Sequence, residues 1–108
     1  MSHVTTHVLD NVLGAPAPGI SVALSGPTGE IIAVGITDGD GRVGDLGPEV
    51  LPAGDYRIEF ETGSYFAASG RATFFPRVTI DFILTDVAAH YHVPLLLSPF
   101  AYSTYRGS

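Results

Sequence analysis

Cysteine and lysine are both absent from this chain. Without cysteine there are no disulfides, no thiolate nucleophile and no sulfur-ligated zinc site, and the composition suits a reducing compartment. Without lysine, the five basic residues are all arginines, set against eleven acids for a formal net charge of −6. Such a chain has no basic stripe with which to hold nucleic acid. Long apolar runs are missing too, so no membrane-spanning segment is expected. The opening residues 1–6 have neither a basic nor an apolar leader segment, which makes the cytoplasm the expected location. Charge is scarce at 15% and mean hydropathy is +0.29. A small soluble monomer is rarely so apolar, and the surplus predicts a surface covered by partner subunits.

What the chain does contain is punctuation. Its 108 residues predict one domain, 1–108, long enough to bury roughly 65% of its unfolded surface. Thirteen glycines and eight prolines are spread along it, and the runs between them alternate apolar and polar with period two, as strands do. Residues 3–10 alternate Val4, Thr6 and Val8 against His3, Thr5, His7 and Leu9. Residues 14–19 read as a loop, after which Ile20, Val22 and Leu24 share a face. Gly26-Pro27-Thr28-Gly29 reads as a turn. The β-branched run 31–37 reads as a strand buried on both faces, residues 38–42 as a tight acidic loop, and residues 49–52 as a short extended piece before a turn at Gly54. Tyr56, Ile58 and Phe60 face in while Arg57, Glu59 and Glu61 face out. Thr62 reads as the cap of a short helix over residues 63–69. Val78, Ile80, Phe82 and Leu84 share a face, and residues 90–97 and 101–105 are the last strands. Seven or eight short strands with one helical turn predict an all-β antiparallel sandwich.

Several stretches could carry chemistry. Asp38-Gly39-Asp40-Gly41 has the flavour of a calcium loop, but Arg42 and Val43 stand where an oxygen ligand and a glycine are needed. Arg42 is either held by its neighbouring carboxylates or aimed into a cleft. His90 and His92 lie two apart on a predicted strand and share a face, a spacing that suits a metal chelate with His7 as third ligand, or simply a polar strand face. A nucleophilic serine lacks its Gly-x-Ser-x-Gly elbow, whereas a water-activating histidine on a rigid strand needs less apparatus. A sandwich of this size fills its interior with side chains, so a small-molecule site belongs on an outer face or between subunits. The chain closes on an apolar, aromatic stretch in which a phenol, a guanidinium, a glycine and a hydroxyl stand side by side, and this looks like part of a site.

Four pieces in order, Thr6-His7-Val8-Leu9-Asp10, Gly41-Arg42, Tyr91-His92-Val93-Pro94-Leu95-Leu96-Leu97-Ser98-Pro99 and Tyr105-Arg106-Gly107-Ser108, resemble the transthyretin-related protein family on its hydroxyisourate-hydrolysing branch. The resemblance implies a transthyretin-like sandwich of two four-stranded sheets with one short helix, assembled as a homotetramer with sites between dimers. It implies hydrolysis of 5-hydroxyisourate to 2-oxo-4-hydroxy-4-carboxy-5-ureidoimidazoline within urate breakdown, with no cofactor and no metal. The family's catalytic residues map onto His7, Arg42 and His92, and Tyr105, Arg106, Gly107 and Ser108 line the substrate site. A hormone carrier of transthyretin type is the alternative; by resemblance that branch lacks the terminal tetrapeptide and the histidines.

Overall fold

The computed structural model describes residues 2–108, which form β1 (Val4–Asp10), β2 (Ala15–Pro16), β3 (Ser21–Ser25), β4 (Ile31–Ile36), β5 (Gly54–Phe60), α1 (Thr62–Ala68), β6 (Val78–Leu84), β7 (Tyr91–Ser98) and β8 (Ala101–Thr104). Two four-stranded sheets result, ordered β2-β1-β7-β8 and β4-β3-β5-β6. This is the two-sheet sandwich with one short helix that the alternation predicts. Period-two burial assembles it. Val4, Val8, Val93, Leu95 and Leu97 of the first sheet meet Val22, Leu24, Tyr56, Ile58, Phe60, Val78 and Leu84 of the second, all buried. Each such apolar side chain contributes roughly 1.5–3 kcal/mol by leaving water. Among the described residues, no helix is long and apolar enough to cross a membrane.

Several local expectations are corrected. The β-branched run is not buried on both faces. β4 is the edge of its sheet, and Ile31, Val34 and Ile36 are each more than 60% exposed. The predicted loop over residues 14–19 contains β2, and Gly54 opens β5 instead of a turn. Thr62 does not cap the helix. It is the first helical residue, Glu61 stands at the cap position without a capping side-chain bond, and the buried Thr62 hydroxyl has no partner among the described residues. His90 lies just outside β7, and residues 49–52 form no strand. Finally, the pairing is antiparallel everywhere except between β1 and β7, which run parallel with Thr5 opposite His92 and His7 opposite Pro94.

That parallel pair organises the first sheet. Parallel neighbours cannot be joined by a tight turn, so the second sheet and the helix are threaded between them. At the far end of β1, buried Asp10 fastens three segments. Its carboxylate accepts the backbone N–H of Val12 and Leu13, each at 3.0 Å, the Tyr65 hydroxyl from α1 at 2.8 Å and the Arg71 guanidinium at 2.7 Å.

Candidate active site

β2 covers β1 only at Leu9 and Asp10. Nearer the start of β1, the edge beside His7 is taken by Arg42, which bridges His7 in antiparallel fashion, with the Val8 N–H donating to the Gly41 carbonyl at 2.8 Å. The acidic loop is shaped for this. Asp38 accepts the backbone N–H of Asp40 and Arg42 at 2.9 and 3.1 Å, so its carboxylate holds the loop's backbone and not the guanidinium. Gly41 has φ +77, and a Cβ there would stand 2.3 Å from the Val8 carbonyl oxygen. Only glycine fits so close to β1.

The other side of the sheet repeats the arrangement. β8 pairs with β7 from Leu95 to Ser98, and at His92 its place is taken by the tail. Gly107 bridges His92, its N–H donating to the His92 carbonyl at 2.8 Å. A Cβ on Gly107 would lie 2.5 Å from the His92 ring, so the tail backbone rests on the imidazole. Arg42, β1, β7 and Gly107 therefore form one band of two neighbouring rows across the sheet, with Arg42, His7 and Pro94 in one and Thr5, His92 and Gly107 in the other. Thr5, His7 and His92 are only partly buried, whereas their neighbours Val4, Thr6, Val8, Tyr91 and Val93 point into the core. The band thus presents its polar groups on the outer face, where a small sandwich has room for a site.

The three histidines at this place are held by two partners, the Asp40 carbonyl and the Thr5 hydroxyl. His7 Nε2 donates to the Asp40 carbonyl at 2.7 Å, a bond that fixes Nε2 as the protonated nitrogen and leaves Nδ1 as the acceptor in the neutral ring. His92 Nδ1 and His90 Nε2 both lie 2.8 Å from the Thr5 hydroxyl. The pKa of His92 is pushed below the usual histidine value, chiefly by burial and then by the positive charge of Arg42, His7 and His90. A neutral imidazole beside a guanidinium can take a proton from water while the guanidinium faces the oxygen that gains charge. His3 stands apart. It is buried, accepting the Leu51 N–H at Nδ1 and donating from Nε2 to the Ala89 carbonyl, and it belongs to the core.

The arginines divide the same way. Arg57, Arg71 and Arg77 are paired with Asp81, Asp10 and Glu61. Among the described residues Arg42 and Arg106 have no carboxylate partner, and both lie at this band. Arg106 stacks over the Tyr91 ring at 4.4 Å and, with Tyr91, His92 and Tyr105, lines a cleft that runs to Phe82 and Ile83 of β6. Ser108 follows Gly107, exposed. A larger hollow lies elsewhere, over Asp55, Arg57 and Asp81, but holds no histidine and its arginine is already paired. Among the described residues no three His, Cys, Asp or Glu side chains are placed to hold a metal ion; His90 and His92 converge on a hydroxyl instead. Thr5 is the site residue that sequence reasoning passed over. Its parity with His7 on β1 puts it on the same face, but nothing local reveals that His92 lies opposite.

Known proteins share this arrangement of chain. The model of the HIUase/Transthyretin family matches residues 4–107. The 5-hydroxyisourate hydrolase of Caulobacter vibrioides is 46% identical over 115 residues, spanning all of both chains. The solved structure of Klebsiella pneumoniae 5-hydroxyisourate hydrolase is 44% identical and superposes with a TM-score of 0.90 over 100% of this chain and 94% of that one. Sea bream transthyretin in complex with thyroxine is 34% identical, with a TM-score of 0.90 over 96% and 93%.

Proposed function

The chain belongs to the HIUase/Transthyretin family, and from that membership we propose that it is a hydrolase acting on 5-hydroxyisourate, with His7, Arg42 and His92 as catalytic residues and Tyr105, Arg106, Gly107 and Ser108 lining the substrate site. The observation that carries this reading is Arg42, without a carboxylate partner among the described residues, bridged to His7 and near enough to the partly buried His92 for its charge to lower that ring's pKa. The substrate is a flat, oxygen-rich heterocycle. His92 takes a proton from water as the water oxygen bonds to a ring carbonyl carbon. Arg42 faces the oxygen on which charge grows. The ring C–N bond then breaks, and the departing nitrogen receives the proton back from the imidazolium. The product of this ring opening is 2-oxo-4-hydroxy-4-carboxy-5-ureidoimidazoline. His7, its Nε2 committed to the Asp40 carbonyl, has Nδ1 left to orient the water. No step calls for a metal or a cofactor.

The fold by itself does not choose between catalysis and carriage, because the sea bream protein bound to thyroxine shares it. The histidines and the two arginines without a carboxylate partner among the described residues favour catalysis, since a carrier of apolar ring systems has no use for a base near a guanidinium. A homotetramer is part of the proposal, supported by the exposed apolar residues. The test is the decay in absorbance of freshly generated 5-hydroxyisourate. Acceleration by the protein, lost in His92→Ala, is expected. Decay at the uncatalysed rate, with thyroxine bound tightly, would make it a carrier.

A further inference from the structure

Thr5 Oγ1 lies 2.8 Å from two imidazole nitrogens at once, Nε2 of His90 and Nδ1 of His92. A hydroxyl has one proton to donate and lone pairs with which to accept, so it can donate to only one of the two rings. Its neighbour Thr6 points inward and donates to the Val93 carbonyl at 2.6 Å. The Thr5 hydroxyl, on the outer face, makes no other hydrogen bond among the described residues. His90 is exposed where His92 is partly buried. The three groups therefore form a chain from the site to solvent.

We propose that Thr5 and His90 are positioning residues that complete a proton relay with His92, running from His92 Nδ1 through Thr5 Oγ1 to His90 Nε2. The proposal rests on the reading of His92 as the base. For His92 to receive a proton at Nε2, its Nδ1 must already carry one. Thr5 then accepts from Nδ1–H, and its own proton points to a bare Nε2 on His90. Once His92 has taken a proton from water, its ring would be a cation beside Arg42 and close to His7, an unfavourable place for a further positive charge. The relay removes it. The Nδ1 proton passes to Thr5 as the Thr5 proton passes to His90, and the charge comes to rest on an exposed ring that water can solvate. When the departing nitrogen needs a proton, His92 Nε2–H supplies it and the two transfers run backwards. One proton enters from water, one leaves on the product, and no oxidant, reductant or further reactant is involved. The groups that face His92 across this step are Arg42 from the loop, His7 from β1 and His90.

The first measurement needs no substrate, so it separates failure of the relay from failure of the functional reading. Nitrogen chemical shifts of labelled free protein near neutral pH should show His92 protonated at Nδ1 and bare at Nε2, and His90 bare at Nε2. The opposite tautomer at His92 would overturn the proposal. In kinetics on 5-hydroxyisourate, Thr5→Val keeps the side-chain shape and removes the hydroxyl. It should lower kcat about tenfold or more with KM within about twofold and an unchanged thermal midpoint, and Thr5→Ser should restore most of the loss, in keeping with the weight of a single proton transfer. His90→Gln can still accept the Thr5 hydrogen bond through its amide oxygen but cannot take up a proton. Its kcat should fall severalfold and recover as imidazole is added to the buffer. Full kcat in Thr5→Val, or in His90→Gln, would show that the chain of hydrogen bonds carries no proton.

Discussion

Arg42 is held by its backbone and leaves its guanidinium free, an arrangement that suits recognition of two oxygens at once. Lysine offers a point charge in place of that planar fork. Arg42→Lys is therefore expected to lose roughly 2–4 kcal/mol of transition-state stabilisation, the range seen for loss of one oxyanion donor. A kcat/KM within twofold of the parent would reduce Arg42 to a loop residue. His92 makes a second prediction at this scale. A base must be unprotonated, and burial together with Arg42, His7 and His90 lowers the pKa of His92 below the ordinary 6.5. The kcat/KM profile should thus be flat at neutral pH and fall only as pH drops below that value. An acid limb centred above it would assign the base to another group.

At the scale of elements, two irregular segments and one buried carboxylate matter most. The loop of residues 38–42 and the tail of residues 105–108 each stand in for an edge strand at the band where the histidines lie. The tail contributes little to the core, since Tyr105 is 58% exposed. Deleting residues 105–108, or closing the gap over His92 with Gly107→Ala, should reduce kcat/KM by tenfold or more while shifting the thermal midpoint by only a few degrees, the equivalent of about 1 kcal/mol. Unfolding in step with the activity loss would instead make the tail structural. Asp10 behaves oppositely. Burial alone would raise its pKa, but the hydrogen bonds from Arg71, the Leu13 N–H and Tyr65, with the charge of Arg71, outweigh it and bring the pKa from 3.8 down to about 2. A lowered folded-state pKa means stability that is present above the unfolded value and lost as pH falls through the folded one. The share of all these partners together, net of burial, is roughly 2 kcal/mol at 1.36 kcal/mol per unit. Asp10→Asn should cost about 3 kcal/mol at neutral pH, because it strands the Arg71 guanidinium. In denaturant titrations the gap between parent and variant should close as pH falls from 3.8 toward 2; a constant gap would mean that Asp10 contributes by shape alone.

On the scale of the whole molecule, the apolar surplus of the composition reappears as surface. Val12, Leu13, Phe74 and Phe100 are each more than 60% exposed. The β7–β8 turn that carries Phe100 is tied to the Phe74 segment, with the Phe74 N–H donating to the Pro99 carbonyl at 2.9 Å, and the Asn11 N–H donates to the Leu97 carbonyl beside Val12 and Leu13. These residues gather at the end of β7 away from His92 as a rim of exposed apolar side chains, the kind of surface that subunits cover. Burying such a rim between copies removes the penalty of its hydration. Light scattering at micromolar concentration should give four times the 11.3 kDa of the chain; a monomer mass would refute the tetramer and leave the rim unexplained.

Alternation along β1, β3, β5, β6 and β7 determined which side chains enter the core, and glycine and proline marked some of the turns, such as residues 26–29 and 38–41, because both properties are local. The polar pieces, His7, Gly41-Arg42, His92 and the closing tetrapeptide, were legible too as motifs of a family. Neighbours were not legible. Periodicity states the face of a residue but not which strand lies beside it or whether that strand is an edge, which is why β4 read as doubly buried and proved to be an edge. The parallel register of β1 with β7 joins residues nearly ninety positions apart, as at Thr5 and His92. It places Thr5 between two histidines and sets Arg42 and Gly107 at opposite flanks of the paired strands, while burial in the packed sandwich and the charges gathered there lower the pKa of His92. Those relations depend on distance in space, and only the packed sandwich supplies it.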